Sequence, residues 1–113
     1  MESITRSLHF NSTLREISLT DNNIDNLGAI LISQLLQVNS SITTLELDSN
    51  KMGHEGLKAV FDSLLINTTL QSLNLTEQNS DGVVTPISIF EPLQFNSTLT
   101  SLSLSALSLG SDN

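Results

Sequence analysis

Apolar residues along the chain fall into columns that return at a fixed distance. The stretches "NSTLREISLTDNN" from Asn11, "NSSITTLELDSNK" from Asn39, "NTTLQSLNLTEQN" from Asn67 and "NSTLTSLSLSAL" from Asn96 align without gaps. Their first apolar positions, Leu14, Ile42, Leu70 and Leu99, are 28, 28 and 29 residues apart. Ile17, Leu45, Leu73 and Leu102 follow the same beat, and so do Leu19, Leu47, Leu75 and Leu104. Within "REISLT" and "TTLELD" apolar and polar residues alternate, the period of a half-buried strand. In "LGAILISQLLQV" and "EGLKAVFDSLLI" the apolar residues fall three and four apart, as on one face of a helix. Strand, turn, helix and turn therefore make one unit of about 28 residues. One such unit cannot bury its own apolar face, so successive units stack and their strands form one parallel sheet.

The beat divides the chain. Residues 1–10 read as the end of a preceding helix, carried by "ITRSLHFN", and residues 11–38 and 39–66 are regular repeats. Residues 67–95 form an irregular repeat, because "SDGVVTPISIFEPLQF" carries one extra residue and two prolines. Thr85 and Pro86 suit a helix start, with Thr as cap and Pro in the first turn. Pro92 then falls inside that helix and shortens or breaks it. Residues 96–113 hold a truncated repeat that stops before any helix. Neither end shows a polar capping unit, so the chain reads as a segment of a longer array or as a small degenerate member. The last strand, around Ser101 to Ser105, is an exposed edge open to self-association.

Each block reads LxxLxLxxN, with the closing Asn present as Asn22 and Asn50 and replaced by Gln78 and Leu107 in the later blocks. This pattern resembles the leucine-rich repeat family, and the 28-to-29-residue length resembles its ribonuclease-inhibitor-like class. "NNIDNLGAILISQLLQVN" fits that class through Asn22, Ile24, Gly28, Leu31, Leu35 and Asn39. "NKMGHEGLKAVFDSLLIN" fits it through Asn50, Met52, Gly56, Val60, Leu64 and Asn67. The resemblance implies an α/β leucine-rich-repeat solenoid of about three and a half repeats, with a curved parallel β-sheet on the concave side and helices on the convex side. Under it, Asn22 and Asn50 point inward and bond neighbouring backbone, as a buried amide must to avoid a cost of about 1–3 kcal/mol. Asn11, Asn39, Asn67 and Asn96 sit where helices stop and suit a left-handed backbone. Gly28 and Gly56 allow close packing or an unusual angle in the turn. Similar arrays occur in NOD-like receptors and in the Ran GTPase-activating protein.

Composition narrows the function classes. With 38% hydrophobic residues, four Phe, no Trp and no Tyr, any core is built mainly from Leu, Ile and Val. There is no cysteine, hence no disulfide framework, thiolate metal site or thiol nucleophile. A net charge of −8 with four basic residues argues against nucleic acid, which requires neutralised phosphates, and against an anionic membrane surface. "MESITRSLHF" lacks a signal-peptide pattern, and "LGAILISQLL" is too short to span a bilayer. These features point to a cytoplasmic location.

The candidate chemistry is sparse. "DNNIDN" begins like a calcium loop, but Asn26 and Ile32 stand where Gly and Glu are required. "HEGLK" begins like a zinc-protease helix, but Lys58 occupies the place of the second His. No Ser is paired in pattern with His and Asp, and there is no glycine-rich phosphate loop. No catalytic residue, metal ligand or cofactor site is therefore assigned. Five N-x-[ST] sequons occur, at Asn11, Asn39, Asn67, Asn74 and Asn96; four recur with the repeat, so turn chemistry accounts for them.

What remains is the sheet surface. Strand residues alternating with the buried leucines point to the concave side: Glu16, Ser18 and Thr20; Thr44, Glu46 and Asp48; Ser72, Asn74 and Thr76; Ser101, Ser103 and Ser105. The first half is acidic, with Asp21 and Glu77 at the rim, and the second half is hydroxyl and amide. This favours a non-enzymatic module binding a polar or basic protein partner. The alternative, carried by the family resemblance, is a regulator of a small GTPase.

Overall fold

The computed structural model describes residues 1–79 and 85–104, and the backbone of 109–110. Seven residues of helix α1 (Glu2–Leu8) lead into β1 (Glu16–Ser18), α2 (Asn26–Val38), β2 (Thr44–Glu46), α3 (His54–Ser63) and β3 (Ser72–Asn74). After β4 (Thr85–Pro86) comes a 3₁₀ helix (Ile87–Phe95), then β5 (Ser101–Ser103) and β6 (Leu109–Gly110). Strands β1, β2, β3 and β5 form one parallel sheet in that order. Its register pairs Ile17 with Leu45, Leu45 with Leu73, and Leu73 with Leu102. The repeated columns of the sequence are thus rows of directly opposed residues. β4 and β6 form a separate parallel pair.

The ladder runs past both ends of the short strands. Leu19 N donates to Glu46 O, Leu47 N to Asn74 O and Leu75 N to Ser103 O, each at 2.8 Å. One face of the sheet meets a layer of helices in which α1 packs on α2, α2 on α3, and α3 on the 3₁₀ helix. Between them lies an aliphatic core: Ile42, Leu45, Leu47, Leu70, Leu73 and Leu75 from the strand side, and Ile32, Leu36, Leu57, Val60 and Leu64 from the helix side, all buried. Phe61 is fully buried and meets Phe90 edge to face, with ring centroids 5.2 Å apart. No helix among the described residues is long and apolar enough to cross a membrane.

Two ladders of side-chain amides tie the turns together. On one edge, Asn39 Nδ2 donates to Asn11 O, Asn67 Nδ2 to Asn39 O and Asn96 Nδ2 to Asn67 O, at 3.1, 3.3 and 3.1 Å. Each Oδ1 accepts from the backbone two and three residues ahead, as Asn67 does from Thr69 N and Leu70 N at 2.9 and 2.8 Å. These asparagines are not left-handed, contrary to the expectation. Asn39 has φ −81° and ψ 134°, and Asn96 has φ −105° and ψ 124°. Extended backbone aims the amide sideways at the preceding unit, whereas a left-handed residue would only end the helix. Positive φ occurs instead just after the strands, at Asp21, Asn23, Ser49 and Glu77.

On the other edge, Asn50 lies buried and accepts from Asn22 N and Ile24 N at 2.8 and 3.0 Å. Its Nδ2 donates to Leu19 O and Leu47 O at 3.0 and 2.8 Å. Buried Gln78 makes the same kind of link one unit on, accepting from Met52 N and donating to Leu47 O and Leu75 O. Asn22 does not point inward as expected. It is exposed and donates only to Thr20 O, because among the described residues no strand flanks β1 on its outer side.

A cross-unit cap joins the helices. Asn26 Oδ1, from the start of α2, accepts from Gly53 N and Gly56 N at the start of α3, at 2.8 and 2.9 Å. A Cβ on Gly56 would lie 2.7 Å from that oxygen and 2.8 Å from Ala29 Cβ, so this glycine serves close packing. The irregular repeat differs from expectation in detail. Pro86, with φ −64° and ψ 140°, precedes the helix rather than opening it, and no side chain caps that end. The segment winds as a 3₁₀ helix through Pro92, which has no N–H to donate in either winding and so removes one bond without ending the segment. Residues 80–84 of that repeat, and Ser105 and Leu107 beyond it, lie outside the described residues.

The asymmetry between the two closing asparagines is measurable. Asn50→Ala strands buried Ile24 N and several carbonyls and should cost about 3 kcal/mol in urea unfolding. Asn22→Ala should cost less than ~0.5 kcal/mol in the same assay.

Candidate functional site

The sheet face opposite the helices carries the residues singled out from the sequence. The register sets Glu16 beside Thr44, Thr44 beside Ser72, and Ser72 beside Ser101. Two residues along, Ser18, Glu46, Asn74 and Ser103 form a second row. Thr20, Asp48 and Thr76 continue the same alternation beyond the strand ends. Eleven of the twelve expected face residues are therefore brought together, Ser105 being outside the described residues.

Polar contacts fix part of this face. Ser18 Oγ and Thr20 Oγ1 are 3.1 Å apart, and Thr20 Oγ1 donates to Asp48 Oδ1 at 2.8 Å. Asn74 Oδ1 accepts from Thr76 N at 3.0 Å, which holds that amide against its own strand. Glu16, Ser18 and Thr20 are exposed, and Thr44, Glu46 and Asp48 are half-buried. Among the described residues the two ion pairs are Arg6–Glu2 and Lys58–Asp62, each 2.7 Å and within one helix. None of Glu16, Glu46 and Asp48 takes part in an ion pair among the described residues.

The rim beside this face holds a polar groove of about 450 Å³, lined by Asp21, Asn23, Ser49, Lys51, Glu77 and Asn79 with the two ladder amides Asn50 and Gln78. Sequence reasoning named Asp21 and Glu77 but not the groove. Its signal was the left-handed position at Asp21, Ser49 and Glu77, one per unit and 28 residues apart, with φ between 56° and 60°. His54 opens α3 and is exposed, and no cluster of His, Asp and Glu fit for a metal is found among the described residues. Both arginines are engaged: Arg6 with Glu2, and Arg15 with the carbonyls of Ser12 and Ser41. The sequons at Asn39 and Asn67 are buried, with their Nδ2 atoms already donating to backbone.

Comparison with known proteins agrees with this architecture. Residues 10–33 and 38–61 match the family model described as Leucine Rich repeat. Among solved structures, leiomodin-1 actin-binding site 2 superposes with a TM-score of 0.81 at 30% sequence identity. The match covers 91% of this chain and 60% of that one, so the chain spans about three-fifths of its length. Comparison with curated proteins gives no significant match.

The left-handed turn beside the groove gives a direct test. Ser49→Val places a β-branched side chain at φ 59° and should destabilise the fold by about 1–2 kcal/mol. Ser49→Gly, free of that restriction, should retain or slightly raise the urea midpoint.

Proposed function

We propose that this chain is a non-enzymatic protein-binding module whose sheet face docks a basic protein surface. In this reading the units are of the ribonuclease-inhibitor-like class, and the sheet lines the concave side of a curved solenoid. The carrying observation is the uncompensated charge: Glu16, Glu46 and Asp48 lie on one face, and neither described ion pair involves them. A chain of net charge −8 already attracts cationic surfaces, and a face without a competing base focuses that attraction. The hydroxyl and amide half, from Ser72 to Ser103, supplies uncharged donors and acceptors that orient a partner without selecting charge. No aromatic residue lies on the face, so binding is weak to moderate and salt-sensitive.

The similar solved structure is described as an actin-binding site, which makes actin the first partner to test. The GTPase-regulator alternative gains nothing from the two arginines, since each is held by local contacts. Co-sedimentation with filamentous actin, run beside capture from whole-cell lysate, separates specific from generic docking. A variant carrying Glu16→Lys, Glu46→Lys and Asp48→Lys, confirmed folded by circular dichroism, should lose at least about tenfold in affinity, or ~1.4 kcal/mol. The wild-type affinity should fall as salt rises. A partner held equally by the variant would place binding elsewhere on the molecule.

A further inference from the structure

Two of the five sequons place their acceptor nitrogen inside the stack: Asn39 and Asn67 are only 5% and 4% exposed. Asn67 Nδ2 uses both of its hydrogens, on Leu36 O at 2.8 Å and on Asn39 O at 3.3 Å. Asn39 Nδ2 donates to Asn11 O at 3.1 Å. Half-buried Asn96 repeats the two-acceptor pattern, reaching Leu64 O and Asn67 O at 3.0 and 3.1 Å. The residue that completes each sequon is structural too, since Ser41 N, Thr69 N and Thr98 N donate to the Oδ1 two places back. The pattern that marks a chain for N-glycosylation is here the pattern that builds the ladder. In that modification an oligosaccharide leaves a lipid diphosphate donor. A C1–Nδ2 bond forms, the glycosyl–phosphate bond breaks with the diphosphate as leaving group, and one Nδ2 proton is lost. A glycosylated amide keeps a single N–H, so Asn67 and Asn96 each lose one of two bonds and leave a carbonyl unpaired. The sugar is the larger obstacle, because it is bulky and hydrated and has no route to water from a buried nitrogen unless the units separate. Asn74 differs: its Oδ1 accepts from Thr76 N, but its Nδ2 makes no bond among the described residues and lies on the open sheet face.

We infer that N-glycosylation at Asn39, Asn67 or Asn96 and folding exclude each other, so this chain folds outside any compartment where that modification acts. A glycan at Asn74 is compatible with the fold. The test sends the full chain through the secretory pathway of cultured cells behind a cleavable signal peptide, beside the same chain made in the cytosol. The chain has no cysteine, so disulfide formation does not confound the comparison. Urea unfolding reads the fold, and peptide mass mapping reads the occupancy of each sequon. The wild type sent along the secretory route should carry glycans at the ladder sequons and show no cooperative transition. An inhibitor of oligosaccharide transfer should restore the transition of the cytosolic chain. A variant with Thr13→Ala, Ser41→Ala, Thr69→Ala and Thr98→Ala erases four sequons, keeps every ladder asparagine and leaves Asn74 as the one acceptor. It should fold along the same route with Asn74 glycosylated, and the inhibitor arm serves as its own folding control. A wild type that emerges folded, whether its ladder sequons carry glycans or stay bare, would overturn the inference. So would a wild type that stays unfolded when transfer is inhibited, or a variant that folds under the inhibitor but not with Asn74 glycosylated.

Discussion

Where parallel units stack through tight turns, each turn presents backbone donors and acceptors to its neighbour at a depth water does not reach. One side-chain amide per turn satisfies them here. Asn67 alone bonds four backbone groups, from Leu36 and Asn39 behind it to Thr69 and Leu70 ahead. Asn50 and Gln78 do the same on the opposite edge, and among the described residues no buried side-chain polar atom lacks a partner. The strands are only three residues each, extended by single ladder bonds such as Leu19 N to Glu46 O, and the amides add a second set of links between units. The amides fix the offset from unit to unit, and the leucine rows then bury in line.

The other features depend on that fixed offset. Asn26 reaches Gly53 and Gly56 because α2 and α3 start at equivalent heights, and Gly56 is bare because they start so close. Alternation along each strand, once registered, sends Ile17, Leu19 and their column partners to the helix side and the polar residues between them to the open face, while Leu14, ahead of β1, stays exposed. The acidic face and the exposed apolar residue ahead of each ladder asparagine are therefore consequences of the same stacking. One gathers side chains that the core rejects across the strands, and the other gathers a single loop position from each unit.

Much of this was legible in the sequence. The three apolar columns gave the strands and their register, since Leu45 and Leu73 recur at the repeat length and stand side by side. Periodicity also located the ladder asparagines but not their conformation; their role was misassigned because asparagine at a helix end has two common uses. Gln78 could be seen to replace an asparagine, but its equivalent bonding depends on one extra methylene reaching the same carbonyls. Asn26 lies in no repeated column, so its cap on α3 had no signal. Exposure was hidden for the opposite reason: Phe10, Val38, Ile66 and Phe95 recur just as core positions do but face solvent. Spacing shows which residues align, not whether their shared direction is inward. The sheet-face residues were located by alternation, while the partner that face would hold depends on chemistry outside the chain.

The measurement closest to the central claim is native-state hydrogen exchange at the amides held by ladder side chains. Ile24, Ile42, Met52 and Leu70 donate to Asn50, Asn39, Gln78 and Asn67 respectively. If these bonds hold the stack, their amides should exchange only through global unfolding, with the same free energy and urea dependence as Leu47 and Leu75 in the sheet ladder. Exchange at the rate of open loops, while the sheet stays protected, would mean that the strands hold the register and the amides merely decorate it.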